Sequence, residues 1–125
     1  MPEAPGQEPA AALPELDRLL EHRVRLAIAV LLARRDALSF SRLKELLGET
    51  DGSLGAHLRR LEEAGYVTFE KEFVARKPVT WYRLAPSGRR ALARHVEGLE
   101  RLLSGLVPES STATSQRARK GKEKS

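Results

Sequence analysis

The sequence predicts a mainly helical α+β domain: three helices, a two-stranded hairpin and a long last helix. Three observations carry that prediction. Apolar side chains recur every three or four positions in four separate segments, which is the helical period. A single stretch, Tyr66 to Leu84, turns to aromatic and β-branched residues, YVTFEKEF and then VTWYRL. Glycine, proline and short polar residues stand where these segments meet. With 125 residues, 41% of them hydrophobic, the chain can build one core but not two.

Residues 1 to 12, MPEAPGQEPAAA, show no periodic apolar face and read as a disordered leader that carries no core. Pro14 suits the first turn of a helix whose positions Leu16, Leu20, Val24, Ala27, Ile28 and Leu31 form one stripe, ending near Arg34 and Arg35. Ser39 or Ser41 caps a short second helix through Leu47, with Phe40, Leu43, Leu46 and Leu47 offered to the core and Gly48 as the stop. Thr50 caps a third helix with Asp51 in its first turn and Leu54, Leu58 and Leu61 inside, and Gly65 ends it in a turn or left-handed conformation.

The hairpin follows, its tip the basic segment VARKP. Val67, Phe69 and Phe73 share parity with Lys71, while Tyr66 has the other parity, so alternation leaves the register of the first strand open. A last helix starts around Pro86 and Ser87 and carries Leu92, Val96, Leu99, Leu103 and Leu106, interrupted by Gly98. Gly98 answers either to a close backbone contact across an interface or to simple tolerance. From Pro108 to Ser125 the chain reads as a disordered basic tail, leaving 13–107 as the folded unit.

Charge has a location. Lys and Arg number 22 against 17 for Asp and Glu, a net +5. Glu3, Glu8 and Glu15 offset the tail, where Arg117, Arg119, Lys120, Lys122 and Lys124 face only Glu109 and Glu123. The excess therefore sits on residues 16 to 107, which suits a polyanionic partner.

Several function classes are excluded. With no cysteine there is no disulfide, thiolate ligand or cysteine nucleophile. No run approaches the roughly 20 apolar residues of a membrane span, and the N-terminus lacks the basic-then-apolar pattern of an export signal, so a cytoplasmic protein is expected. His22, His57 and His95 are not spaced as metal ligands. Glu62 and Glu63 diverge around a helix, and neither a nucleophile elbow nor a phosphate loop is present, so neither catalysis nor a cofactor is expected.

Three helices followed by a hairpin can place the third helix in a DNA major groove while the hairpin reaches the flanking backbone. The outer face of the third helix offers Gly52, Ser53, Gly55, Ala56, Arg59, Arg60 and Glu63, small residues first, which permits close approach. Ser53 can donate to a phosphate or base, and Arg59 and Arg60 suit phosphates, although two arginines on a helix also make an ordinary solvated face. Lys71, Arg76 and Lys77 bring the same sign from a second element. His57, at the edge of the inner stripe, can meet a phosphate or a neighbouring group.

The stretch HRVRLAIAVLLARRDALSFSRLKELLGETDGSLGAHLRRLEEAGYV, followed by KEFVARKPVTWYRLAPSGRRAL, resembles small bacterial winged-helix transcriptional regulators of the broad MarR and ArsR-like superfamily. The likeness runs from His22 to Leu92 and is strongest in TDGSLGAHLRRLEEAGYV, in KPVTWYRL and at Gly88. It implies a winged helix-turn-helix fold, a recognition helix beginning near Thr50, a wing between Phe73 and Thr80, and pairing of two subunits through the first and last helices. Ser53, His57, Arg59 and Arg60 would then face DNA, with Arg76 and Lys77 on the wing. Two departures stand out: Gly55, where such regulators often carry a serine, and Ala85, where a threonine commonly caps the last helix.

The expected function is a homodimeric, sequence-specific regulator of transcription that binds double-stranded DNA and represses by occupying a promoter. Its contacts would come from Ser53, Gly55, Ala56, His57, Arg59, Arg60, Lys71, Arg76 and Lys77. Leu16, Leu20, Val24, Val96, Leu99, Leu103 and Leu106 would dimerise it, unless the first and last helices pack against each other within one chain. The alternative is a winged helix that binds protein without reading DNA. No small-molecule effector is marked by the sequence.

Overall fold

The computed structural model describes residues 9–106; the remainder of the expected leader and the basic tail lie outside the described residues. Its elements are a 3-10 helix over Pro9–Glu15, then α1 (Arg23–Arg34), β1 (Leu38–Ser39), α2 (Phe40–Leu47), α3 (Asp51–Glu63), β2 (Val67–Val74), β3 (Lys77–Leu84) and α4 (Pro86–Leu102). This is the winged helix-turn-helix architecture, mainly helical with a β-hairpin wing.

The first helix departs from expectation. In place of one helix from Pro14, the chain forms the 3-10 turn, reverses through Asp17, and begins α1 only at Arg23. Local hydrogen bonds cause the break. Asp17 Oδ1 accepts from the backbone N–H groups of Leu19 (2.9 Å) and Leu20 (3.3 Å), and His22 Nδ1 caps α1 by accepting from the Val24 N–H (3.1 Å). Residues 9–12, read from the sequence as coreless, begin the 3-10 helix, and Ala12 is buried.

The middle helices end where their residue types require. Ser39 caps α2 through the Arg42 N–H (3.0 Å), and Gly48 closes it at φ +64° with its N–H on the Lys44 carbonyl. Thr50 caps α3 through the Ser53 N–H (3.1 Å). After α3 the Tyr66 N–H bonds the Leu61 carbonyl and the Gly65 N–H bonds that of Glu62, with Gly65 at φ +77°, a Schellman closure. Leu54, Leu58 and Leu61 are fully buried against Ile28, Leu32 and Leu43, each burial stabilising the fold by roughly 1.5–3 kcal/mol.

The sheet has a third strand that the sequence did not disclose. Its order is β1-β3-β2, all antiparallel, with Leu38 opposite Tyr82 and Ser39 opposite Trp81. In the wing Val67 pairs with Leu84, Phe69 with Tyr82, Lys71 with Thr80 and Phe73 with Pro78, which fixes the register. Ala75 and Arg76 form the tip, both at positive φ (50° and 67°), as a two-residue hairpin of matching twist demands.

α4 begins at Pro86 without a side-chain cap. Instead the Ala85 N–H donates to the Tyr66 carbonyl (2.9 Å), and Ser87 Oγ donates to the Gly65 carbonyl (2.5 Å). The helix stops at Leu102, so Leu103 and Leu106 lie in the turn beyond it and not on the helix as expected. Gly98 is explained within one chain: a Cβ there would stand 3.0 Å from Leu16 Cδ2, so the glycine makes room for the N-terminal segment and not for a second subunit. Glu15 and Arg101 form an ion pair beside it.

Candidate nucleic-acid interface

The surface of interest is built from α3 and the wing. Burying Leu54, Leu58 and Leu61 turns Gly52, Ala56, Arg59, Arg60 and Glu63 to solvent, with Ser53, Gly55 and His57 half-exposed at the margins. At Gly52 and Gly55 an added Cβ would meet nothing within 4 Å, so packing does not require glycine at either position. Each lowers helix stability by about 1 kcal/mol relative to alanine.

Ser53 and His57 are already engaged inside the chain. The Ser53 hydroxyl donates to Glu49 Oε1 at 2.6 Å. His57 Nδ1 lies 3.1 Å from Arg25 Nη1, and because a guanidinium only donates, the imidazole accepts there and carries its proton on Nε2. Its ring also packs on His22, with centroids 4.3 Å apart. Burial first, and then the neighbouring His22 and Arg25, pull the His57 pKa below the ordinary histidine value. His57 thus ties α3 to the start of α1.

The wing has two unlike faces. One continues out of the core from Val67, Leu84 and Tyr82 to Phe69, Lys71, Thr80, Phe73 and Pro78. Tyr82 on this face is buried in the same core cluster as Leu54, Leu58 and Leu61 of α3, so the face is turned toward α3. The opposite face carries Thr68, Glu70, Glu72, Val74, Lys77, Val79, Trp81 and Arg83, with Trp81 Nε1 donating to Glu72 Oε1 at 2.7 Å. Lys71, Arg76 and Lys77 are all exposed, and Arg76 sits at the tip. Sequence reasoning missed Arg25 and Glu49 as partners of α3, because both lie outside that helix. It noted the shared parity of Phe69, Lys71 and Phe73, the one signal available for the wing's polarity.

The residues expected to dimerise divide. Leu20 and Val24 are buried in the monomer's own core, and Leu16 is half-buried facing Gly98. These three belong to intramolecular packing, because the N-terminal segment folds back on α4. Val96, Leu103 and Leu106 remain exposed and Leu99 half-exposed. An open groove of about 420 Å³ beside Val96 is lined by Ala33, Leu92 and Ala93 together with Arg89 and Glu97.

Among the described residues no group of three or more His, Asp or Glu side chains is placed to hold a metal ion, and no helix is long and apolar enough to cross a membrane.

Known proteins agree with this architecture. The chain is 36% identical over 73 residues to an uncharacterized protein of Methanocaldococcus jannaschii, 58% of this chain and 79% of that one. A transcriptional regulator homologue from Pyrococcus horikoshii superposes with a TM-score of 0.71 at 30% identity, over 78% of this chain and 98% of that chain. A MarR family transcriptional regulator from Streptomyces coelicolor, solved in complex with DNA, shares the fold at a TM-score of 0.57 and 23% identity, over 91% and 81% of the two chains. Residues 24–103 match the winged helix DNA-binding domain family, so the chain belongs to that family of binding modules.

Proposed function

We propose that this chain is a sequence-specific, double-stranded-DNA-binding regulator of transcription that acts as a homodimer and represses by occupying a promoter. The observation that carries the reading is the exposed face of α3. Two glycines that packing does not need precede Ala56, Arg59 and Arg60, and a wing face bearing Lys71 and no carboxylate continues from the core that α3 packs on. Residues 51 to 64 enter the major groove: Gly55 and Ala56 admit the backbone, Ser53 reaches a phosphate or base, and Arg59 and Arg60 meet phosphates. His57 contributes from the margin, held by Arg25. Arg76 and Lys77 at the wing tip clamp the flanking backbone. A protein of the same fold from Streptomyces coelicolor was solved in complex with DNA, which supports a duplex as the partner, and a regulator of transcription in a bacterial-type cell would meet that partner in the cytoplasm.

Dimerisation rests on the apolar side chains that the fold leaves uncovered, Val96, Leu99, Leu103 and Leu106. Two copies would space their α3 helices for half-sites of a palindrome.

The test is selection of duplexes from a randomised pool by the whole chain. A shared, palindromic motif is expected, and binding that declines linearly with the logarithm of salt. Selection of no motif, or a monomeric mass at micromolar protein with a single half-site, contradicts the regulator and the dimer respectively. Arg76→Ala with Lys77→Ala should weaken binding and lower the salt slope by roughly 2.

A further inference from the structure

Phe73 is the most exposed large apolar side chain among the described residues, at 78% of its surface, and it stands on the wing close to the tip. Nothing in the fold holds it there. Its cross-strand partner is the exposed Pro78, and two positions back along the same face Phe69 is still 46% exposed although its ring lies 6.0 Å from that of Tyr82. Between the two phenylalanines on that face sits Lys71, opposite Thr80. An apolar strip thus runs outward from the core edge along the face turned to α3, interrupted only by a cation and a hydroxyl.

Charge decides which partner fits. Both wing carboxylates, Glu70 and Glu72, project from the opposite face, where one binds the Trp81 indole. The strip has none: Lys71 stands within it and Arg76 at the tip beyond its outer end. Arg83 and Lys77 balance the two carboxylates on that opposite face, whereas the strip carries a net positive charge, so a polyanion is favoured on the strip. A nucleic-acid duplex also offers what Phe73 and Pro78 need, since the C–H faces of its deoxyriboses line the groove walls between the charged phosphates.

We propose that Phe73, backed by Pro78, is a nonionic duplex contact of the wing, packing on deoxyribose in the groove beside the recognition helix. This rests on the DNA reading above and deepens it: the wing binds by an apolar contact as well as by its cations. The two kinds of contact separate by salt, because only the cations release counterions.

The experiment measures affinity for a labelled duplex that the wild-type whole chain selects from a randomised pool, across a salt series. Phe73→Ala should weaken binding on the order of ten-fold at every salt concentration with the slope unchanged. Phe73→Leu should retain most of the affinity, and Pro78→Ala should reproduce part of the loss. Lys71→Ala should instead lower the slope by roughly 1. Because Phe73 touches so little of the fold, melting temperatures should match the wild type, and Pro78→Ala gives a second reading if one variant folds poorly. Wild-type affinity in Phe73→Ala overturns the proposal. So does a Phe73→Ala variant whose mass in solution falls to the monomer, since the strip would then belong to a second copy. A wild-type chain that selects no duplex overturns the DNA reading itself, a result distinct from either.

Discussion

His95 Nδ1 accepts the backbone N–H of Asp17 at 2.9 Å, joining the last helix to a segment 78 residues earlier in the chain. The imidazole is 1% exposed. Asp17 in turn caps the turn before α1 through Leu19 and Leu20 and accepts the Tyr66 hydroxyl. One aspartate thus gathers α4, the N-terminal turn and the start of the wing. Burial, followed by that hydrogen bond, pushes the Tyr66 pKa up to about 12. Replacing His95 by Leu removes the acceptor and leaves the Asp17 N–H unpaired. Thermal or urea unfolding should show a loss of about 1–3 kcal/mol. An unchanged midpoint would mean that water satisfies the amide.

Gly88 permits no side chain. A Cβ there would lie 2.2 Å from the Tyr66 carbonyl oxygen and 2.8 Å from Leu84 Cδ1, and a backbone atom cannot swing aside as a side chain can. Gly88→Ala should destabilise the domain by on the order of 3 kcal/mol or more, or prevent folding, while Gly52→Ala, whose methyl group would enter open space, should not. Urea midpoints of the two variants decide this.

Gly55 should show the reverse trade. Alanine fits its open space and favours the helix, so Gly55→Ala should raise stability by up to about 1 kcal/mol. If α3 docks its backbone closely on a duplex, the same methyl group should weaken binding. A variant that gains stability and binds as the wild type does would show that close approach at Gly55 is not used.

His57 gives a pH dependence with a definite sign. Its pKa in the fold lies below the unfolded value near 6.5, so the unfolded chain binds more protons in the window between the two, and stability falls as pH drops through it. Above about pH 8 the group is neutral in both states and contributes no slope. Between about pH 7.5 and pH 5.5 the wild type should lose more melting temperature than His57→Gln. Equal losses would assign the acid sensitivity to other groups.

Much of this fold was legible because local chemistry dictates it. Ser39, Thr50, Gly48 and Gly65 act as caps and stops in the structure as their types imply, and the leucine stripe of α3 is its buried face. What escaped notice depends on partners distant in sequence. Leu16 and Leu20 keep helical spacing with α1 although the chain turns between them, since periodicity records a shared buried side and not an unbroken axis. β1 is two residues long, too short to alternate, and exists only because β3 offers an edge. His95 stands on the last helix with nothing near it in sequence to name its partner, which appears only when Asp17 is brought to it. At the candidate interface the cations of α3 and the wing could be named from sequence, whereas the Arg25 and Glu49 contacts that hold His57 and Ser53 could not.

The most direct measurement is the affinity of the whole chain for its selected duplex across a salt series, beside the Arg59→Ala, Arg60→Ala double variant. Both arginines are exposed, so the fold should survive their loss. If α3 reads the major groove with both on phosphates, the double variant binds on the order of ten-fold or more weakly and its slope of log affinity against log salt falls by roughly 2. Equal affinity and equal slope for the two proteins would contradict the assignment of α3 as the recognition helix.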